Sequence, residues 1–340
     1  MWEGLQSITN YKQKSSSNSS SNVVVTPDSL NDFYSRFDRV NQSGISQSFV
    51  CDESPPVKID TRDVQSLFRK QIPRKAPGPD GVLPSTLRYC SFVLAPIFTN
   101  IFNQSLSSQT IPICFKTSVV IPVPKKQPIK SINDYRPVAL TSVIMKVFEK
   151  IVLNYLKSFI SPILDPAQFA YRTNRCVEDA VALTLHNILK HLELPNSYVR
   201  VLFIDYSSAF NTIVPIKLYK KLQDMSIPIS ICNWLLDFLL NRPQFVKLDN
   251  VLSSTNVLNT GAPQGCVLSP LLYSLFTDDC RCNDASVKMV KFADDTTVTG
   301  LISNSDETAY QKEIHSLINW CENNNLILNP SKTKEIVLSS

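Results

Sequence analysis

Glycine and histidine are both scarce in this chain, and their scarcity limits the chemistry that it can support. Of 340 residues only 7 are glycine and 3 are histidine. The histidines lie far apart, and Cys280 and Cys282 are too closely spaced for a Cys-x-x-Cys knuckle, so the nine cysteines favour buried, reduced thiols over a zinc site. Four of the glycines fall in two loops, "KAPGPDG" and "GAPQG", where a positive φ or a close backbone approach is expected.

Long apolar runs are missing as well. No stretch reaches the roughly 18 apolar residues that a membrane span needs, and the first residues lack the apolar segment of a signal peptide. The composition, 43% hydrophobic and 19% charged, is ordinary for a globular protein with a sizeable core. We therefore expect a soluble, intracellular protein without a membrane partner.

Positive charge is in mild excess and is unevenly spread. The formal net charge of +5 permits a nucleic-acid partner without requiring one. Residues 120–160 carry seven basic residues against Asp134 and Glu149, a surplus equal to that of the whole chain. The basic residues are Lys125, Lys126, Lys130, Arg136, Lys146, Lys150 and Lys157.

The order of sequence patterns predicts an α+β fold with a largely antiparallel sheet. Residues 1–55 are rich in Ser, Asn and Gln, and are predicted to be a low-complexity tail or linker. "LTSVIMKVFEKIVLNYLKSFI" predicts a long amphipathic helix, with Ile144, Val147, Ile151, Tyr155 and Phe159 along one side. Ser269, before Pro270, is predicted to cap the N-terminus of another helix.

Two adjacent carboxylates, Asp294 and Asp295, stand within the apolar stretch "MVKFADDTTVTGLIS". Side chains alternate along a strand, so the pair can share a target only in the tight turn of a hairpin. Like charges at this range resist desolvation unless a cation or water reaches them. An ordinary exposed turn is the simpler interpretation, and a second pair, Asp278 and Asp279, is interpreted as a solvated helix end.

A third carboxylate, Asp205, ends the apolar strand "VLFID". Three carboxylates without His or Cys suit a hard divalent cation such as Mg²⁺, which prefers oxygen ligands. Two such ions about 3.5–4 Å apart stabilise both the attacking and the leaving oxygen in phosphoryl transfer.

Seven stretches in order resemble the motifs of reverse transcriptases. "VLFIDYSSAFNTI", "NTGAPQGCVLSPLLYSLF", "KFADDTT" and "WCENNNLILNPSKTK" resemble the successive palm motifs. "RKAPGPDGVLPSTL", "PVPKKQPIKSINDYRPVALTSVIMKVFEKIV" and "QFAYRTNRCVEDAV" resemble the fingers motifs of LINE-type, non-LTR retrotransposons. The resemblance covers residues 65–340.

This resemblance implies a right-hand polymerase, with fingers and an N-terminal extension over residues 56–200 and a palm over residues 201–340. It implies an RNA-directed DNA polymerase that uses two Mg²⁺ ions, with Mn²⁺ as a substitute. The implied partners are an RNA template, a DNA primer and deoxynucleoside triphosphates, in a nuclear or cytoplasmic ribonucleoprotein. No thumb or endonuclease is recognisable, so we expect a fragment of a longer polyprotein.

The resemblance also assigns roles by position. Asp205, Asp294 and Asp295 match the metal-binding triad, and Lys332 matches a lysine placed to protonate the pyrophosphate leaving group. The implied nucleotide-binding residues are Lys125, Lys126, Arg136, Phe210, Gln264 and Gly265. Arg136 is the best suited of the cations, because guanidinium binds phosphate oxygens bidentately. Phe292 and Arg172 are expected near the primer end and the template.

Several alternatives stay open at this stage. Phe210 would also serve as plain core packing, and Lys125 or Lys126 as a solvated charge. An RNA-dependent RNA polymerase is disfavoured by Phe210 and Phe292, and a Mg²⁺ nuclease has no support beyond the acids. A folded but inactive nucleic-acid-binding remnant remains the principal alternative function.

Overall fold

The computed structural model describes residues 25–38, 57–125, 127–129, 131–160 and 163–339. Lys126 and Lys130, together with most of the predicted N-terminal tail, lie outside the described residues. The helices are α1 Pro27–Tyr34, α2 Thr61–Arg69, α3 Pro84–Tyr89, α4 Ser91–Ser108, α5 Ile113–Lys116, α6 Val143–Ile160, α7 Val177–Leu192, α8 Pro215–Asp224, α9 Ile229–Leu239, α10 Ser269–Phe276 and α11 Thr308–Asn323. The strands are β1 Ser118–Pro124, β2 Tyr135–Thr141, β3 Ser197–Ile204, β4 Arg242–Leu248, β5 Val251–Leu252, β6 Asn256–Leu258, β7 Val287–Phe292, β8 Asp295–Ser303 and β9 Lys334–Ser339.

The strands form two sheets. The first sheet has the order β2-β1-β4-β5, with β6 also paired to β4, and its β1–β4 pair is parallel. The second sheet has the order β7-β8-β3-β9 and is antiparallel throughout. The mixed α/β composition with largely antiparallel sheets confirms the coarse fold prediction.

A row of aromatic rings joins the helices of the main core. Phe102 on α4 stacks on Phe148 on α6, with ring centroids 4.3 Å apart, and Phe148 meets Trp234 on α9 edge-on at 4.9 Å. All three side chains are fully buried. The indole N–H of Trp234 donates to Ser105 Oγ at 3.1 Å, which satisfies its polar atom within the core.

The long helix α6 lies within the predicted stretch, but Leu140 and Thr141 at the start of that stretch belong to β2, and the predicted side of the helix is not the buried one. Ile144 and Val147 are buried, whereas Phe159 is 40% exposed. The buried stripe continues instead through Phe148, Val152, Leu156 and Ile160. Both stripes are apolar and lie one residue, or about 100° of helix rotation, apart. Helices α4 and α9 pack against Phe148, so the stripe that contains Phe148 is the buried one.

Helix α1 lies inside the segment that was predicted to be a low-complexity tail, and that prediction is wrong for it. Thr26 and Ser29 form a reciprocal cap at its start. Leu30 is fully buried, and the amide of Asn31 exchanges hydrogen bonds with Gln244 on β4. The eight helical residues are therefore held by the first sheet, which the local composition does not reveal.

The described part of the chain holds no helix that combines the length and the apolarity needed to cross a membrane.

Candidate active site

The two adjacent aspartates lie at the tip of the β7–β8 hairpin. Phe292 pairs with Asp295, so Ala293 and Asp294 form a two-residue turn. Asp294 is thus in the turn as predicted, whereas Asp295 is the first residue of β8. Ala293 has a φ of +58°, in the left-handed region that favours glycine. The tight turn therefore depends on a strained alanine next to Asp294.

Asp205 reaches the same place from the neighbouring strand. The β3–β8 ladder ends with Ile204 opposite Thr296, so Asp205 and Asp295 are the next residues of adjacent strands. The side-chain amide of Asn329 donates to Asp205 Oδ2 at 2.9 Å, and its backbone N–H donates to the Asp205 carbonyl. Asn329, in "NPSKTK", thereby fixes the orientation of the carboxylate.

The three carboxylates are close enough to interact electrostatically. Partial burial raises the pKa of the Asp295 carboxyl, and the negative charges of Asp294 and Asp205 raise it further. Asp294 also acts on Tyr273, whose pKa is raised chiefly by burial and then by neighbouring charges, including that of Asp294. Mutual repulsion of this kind is relieved when a cation joins the group.

The carboxylate oxygens at this site suit a hard divalent ion, but they do not complete its coordination by themselves. Within the described residues, no group of three or more His, Cys, Asp and Glu side chains is arranged to hold a metal ion. Mg²⁺ is commonly held by one or two carboxylates, with waters and substrate phosphates completing its coordination. Asp205 and Asp294 supply oxygen ligands of the required kind, so the residues fit a metal bound together with a nucleotide.

One cationic side chain contacts this group of acids, and two others lie within electrostatic range of one another. Lys332 Nζ lies 3.4 Å from Asp205 Oδ2. Burial lowers the pKa of the Lys125 ammonium, and the positive charges of Lys332 and Arg136 lower it further. Lys125 is exposed, and its Nζ donates to the Asn133 carbonyl at 2.8 Å. Its binding to a nucleotide stays a prediction. A bound polyanion would relieve this repulsion.

The "GAPQG" loop connects the two sheets beside the acids. Gly261, with a φ of +76°, donates its N–H to the Ile213 carbonyl, and Ala262 donates to the Phe210 carbonyl. The Gln264 carbonyl accepts from Ala139 N–H on β2 at 3.1 Å. At Gly265 a Cβ would lie 3.0 Å from the Ala139 carbonyl oxygen. The close approach expected at Gly265 is therefore made to β2 of the protein itself.

Phe210 lies in the short 3₁₀ turn Ala209–Thr212, directly after the Asp205 strand end. Its half-buried ring tilts against Tyr273, with centroids 5.0 Å apart, and packs on the main core. Core packing is thus part of its role. The part that stays accessible leaves the predicted contact with a nucleotide sugar as a prediction.

Phe292 and Arg172 contact protein groups near the hairpin. Phe292 packs against Phe169 and Ala180. Arg172 Nη1 donates to the Asp165 carbonyl at 2.8 Å, so its guanidinium braces the segment before α7. Their predicted contacts with primer and template stay predictions.

Comparison with known proteins identifies the family of this chain. Residues 123–339 match the family model of the reverse transcriptase, or RNA-dependent DNA polymerase. The chain belongs to the reverse transcriptase family. This finding confirms the family that the seven motifs predicted.

Relatives of this reverse transcriptase chain are transposon proteins. It is 29% identical to a probable RNA-directed DNA polymerase from transposon BS of Drosophila melanogaster over 82% of the chain and 32% of the relative. It is 26% identical to the probable polymerase from transposon X-element of the same species, over 87% and 33%. It is 26% identical to the polymerase from mobile element jockey of Drosophila funebris, over 84% and 32%. These names agree with the predicted non-LTR group, and the chain spans about a third of these relatives' length.

Two polar residues of the reverse transcriptase site went unnoticed in the sequence. Glu149 on α6 is fully buried, and its Oε2 accepts from the N–H groups of Val267 and Leu268 at 2.7 and 2.9 Å. It thereby caps α10 and anchors the "GAPQG" loop. Ser269, the predicted cap, instead donates its hydroxyl to the Pro263 carbonyl. The second residue, Gln168, contacts Ala293 in the β7–β8 turn.

Proposed function

We propose that this domain is an RNA-directed DNA polymerase that transfers a deoxynucleotide to a primer 3′-OH. The observation that carries the proposal is the meeting of Asp205, Asp294 and Asp295 at adjacent strand ends, with Lys332 3.4 Å from Asp205. Carboxylates for a divalent ion and cations for a triphosphate are the two requirements of nucleotidyl transfer. In this proposal β1 and β2 belong to the fingers, and the second sheet, whose strand ends carry the aspartates, belongs to the palm.

The chain's residues have distinct tasks in the reaction. Asp205 and Asp294 hold the divalent ions, which when bound stabilise the charge on the attacking and leaving oxygens. Arg136 and Lys125 bind the β- and γ-phosphates. The primer 3′-oxygen forms a bond to the α-phosphorus while the bond to pyrophosphate breaks. The proton of the 3′-OH passes to water, and in this proposal Lys332, whose Nζ lies 3.4 Å from Asp205 Oδ2, donates a proton to the leaving pyrophosphate.

The proposed substrates are an RNA template paired with a DNA primer, together with deoxynucleoside triphosphates. An A-form heteroduplex is recognised mainly through its phosphates and 2′-hydroxyls. The basic surplus of residues 120–160 provides the electrostatic attraction.

The test is single-nucleotide extension of a DNA primer on an RNA template in Mg²⁺, with enzyme in excess over duplex. Asp294→Asn removes a metal ligand at nearly constant volume, and we expect it to lower the rate at least about 100-fold. Asp279→Asn is the matched control, because Asp279 is also adjacent to another aspartate in the sequence but forms an ion pair with Lys221. Equal rates for Asp294→Asn and wild type would refute the metal site. Duplex binding without extension in any variant would favour the inactive remnant.

A further inference from the structure

The edge of the catalytic hairpin is covered by the segment Asp165–Ala170, which precedes α7. Gln168 bridges to Lys291 on β7 in parallel orientation. Lys291 N–H donates to the Ala167 carbonyl, and Phe169 N–H donates to the Lys291 carbonyl, both at 2.9 Å. Because β7 is the edge strand of its sheet, this segment acts as an additional strand beside the Asp294 turn.

The amide of Gln168 binds both backbone polar groups of Ala293. Gln168 Oε1 accepts from Ala293 N–H at 3.1 Å and from Ala170 N–H at 3.0 Å. Gln168 Nε2 donates to the Ala293 carbonyl at 3.3 Å. The side chain is only 3% exposed, so water does not readily replace these bonds.

These bonds act on the strained residue of the turn. Ala293 occupies, with its φ of +58°, the first turn position, where two-residue hairpins of type II′ favour glycine. Its N–H and carbonyl lie outside the β7–β8 ladder. One buried amide therefore satisfies both groups and holds an alanine in a conformation that its own sequence does not favour.

The segment that carries Gln168 is itself firmly anchored. Lys291 Nζ and Asp165 Oδ2 form an ion pair at 2.7 Å, with both side chains at most 5% exposed. Asp278 accepts the Asp165 N–H at 2.7 Å, so this aspartate is a buried anchor and not the solvated helix end that was predicted. Arg172 adds its bond to the Asp165 carbonyl. Gln168 is thus a fixed support for the turn.

We infer that Gln168 is a positioning residue, which holds the Ala293–Asp294 turn in the geometry that presents Asp294 to the metal-bound nucleotide. The catalytic part of this inference rests on the proposed function. The side chain of Gln168 reaches the turn through the N–H and carbonyl groups of Ala293. Its loss should therefore slow nucleotide addition without weakening the binding of duplex.

The first experiment tests the support directly, without activity. Gln168→Met keeps the side-chain volume but removes the amide. We expect the Ala293 amide hydrogen to exchange at least about tenfold faster with solvent in this variant. Gln311→Met, on the exposed face of α11, is the matched control and should leave that exchange unchanged. Unchanged exchange in folded Gln168→Met would overturn the inference. If Gln168→Met fails to fold, Gln168→Asn replaces it, since its amide is one methylene too short to reach Ala293.

The second experiment separates positioning from general stability by a double-mutant cycle. Gln168→Met should lower the single-turnover rate of nucleotide addition at least about tenfold and leave the duplex Kd within about twofold. Ala293→Gly, which accepts a positive φ without strain, should recover part of the lost rate in the Gln168→Met background. Faster amide exchange with an unchanged rate would overturn the positioning role while the proposed function stands. An inactive wild type would refute the proposed function and the positioning role together, and amide exchange would still decide whether Gln168 supports the turn.

Discussion

Glu149 should make the stability of this protein depend on pH in a direction opposite to that of most carboxylates. Complete burial raises its pKa from 4.5 to about 7, although the N–H groups of Leu268 and Val267 oppose that shift. Its Oε1 is buried and has no hydrogen-bond partner among the described residues. Charging this carboxyl in the folded state is therefore costly.

The sign and size of the effect follow from linkage. Below pH 4.5 the carboxyl is protonated in both the folded and the unfolded states. Between pH 4.5 and 7 the unfolded chain releases the proton while the folded chain retains it, so the free energy of unfolding falls as pH rises. The full difference in pKa corresponds to about 3 kcal/mol. Roughly 2 kcal/mol of it develops between pH 5.5 and 8.

The perturbation is Glu149→Gln, which keeps an oxygen for the Val267 and Leu268 N–H groups and cannot ionise. We expect the stability of the variant relative to wild type to rise by roughly 2 kcal/mol between pH 5.5 and 8. Urea unfolding across that pH range measures the difference. Glu193→Gln, at an exposed position after α7, controls for the loss of one charge. A difference that does not change with pH would refute the reasoning.

Two further substitutions test close packing. Gly261→Ala places a Cβ 2.7 Å from Asn211 Cα at a φ of +76°, and should destabilise by roughly 2 kcal/mol or more. Gly81→Ala is the control, because Gly81 has a φ of +69° but open space around it, and this change should lower the free energy of unfolding by only about 1–2 kcal/mol. If urea unfolding showed equal losses of stability for the two variants, the steric clash with Asn211 would be contradicted. Phe148→Ala removes a fully buried ring and should lower the free energy of unfolding by about 3–5 kcal/mol. Phe92 is 77% exposed, so Phe92→Ala should change that free energy little. Similar losses of stability for both variants would contradict the assigned core.

The sequence predicted best those features that a local pattern determines. Strand β3 ends where its apolar run ends, and the β7–β8 hairpin turns at Asp294, because alternation and turn chemistry act over a few residues. Prediction from the sequence failed for features that depend on contacts with residues distant in the chain. Helix α1 depends on β4 for its order, and the buried face of α6 was selected by Phe102 and Trp234 between two apolar stripes.

The same distinction between local patterns and distant contacts applies to the residues of the candidate site. Asp205 and Asp294 were named because their sequence motifs resemble those of reverse transcriptases, whereas the residues alone favoured an ordinary exposed turn for Asp294. Gln168 and Glu149 could not be found from the sequence, since their partners are backbone N–H and carbonyl groups, which are the same in every residue except proline. A buried amide or carboxyl among apolar residues is the available signal, but burial itself becomes known only from the fold. The residues that aim a catalytic group are therefore harder to predict than the group itself, because their specificity lies in geometry and not in side-chain type.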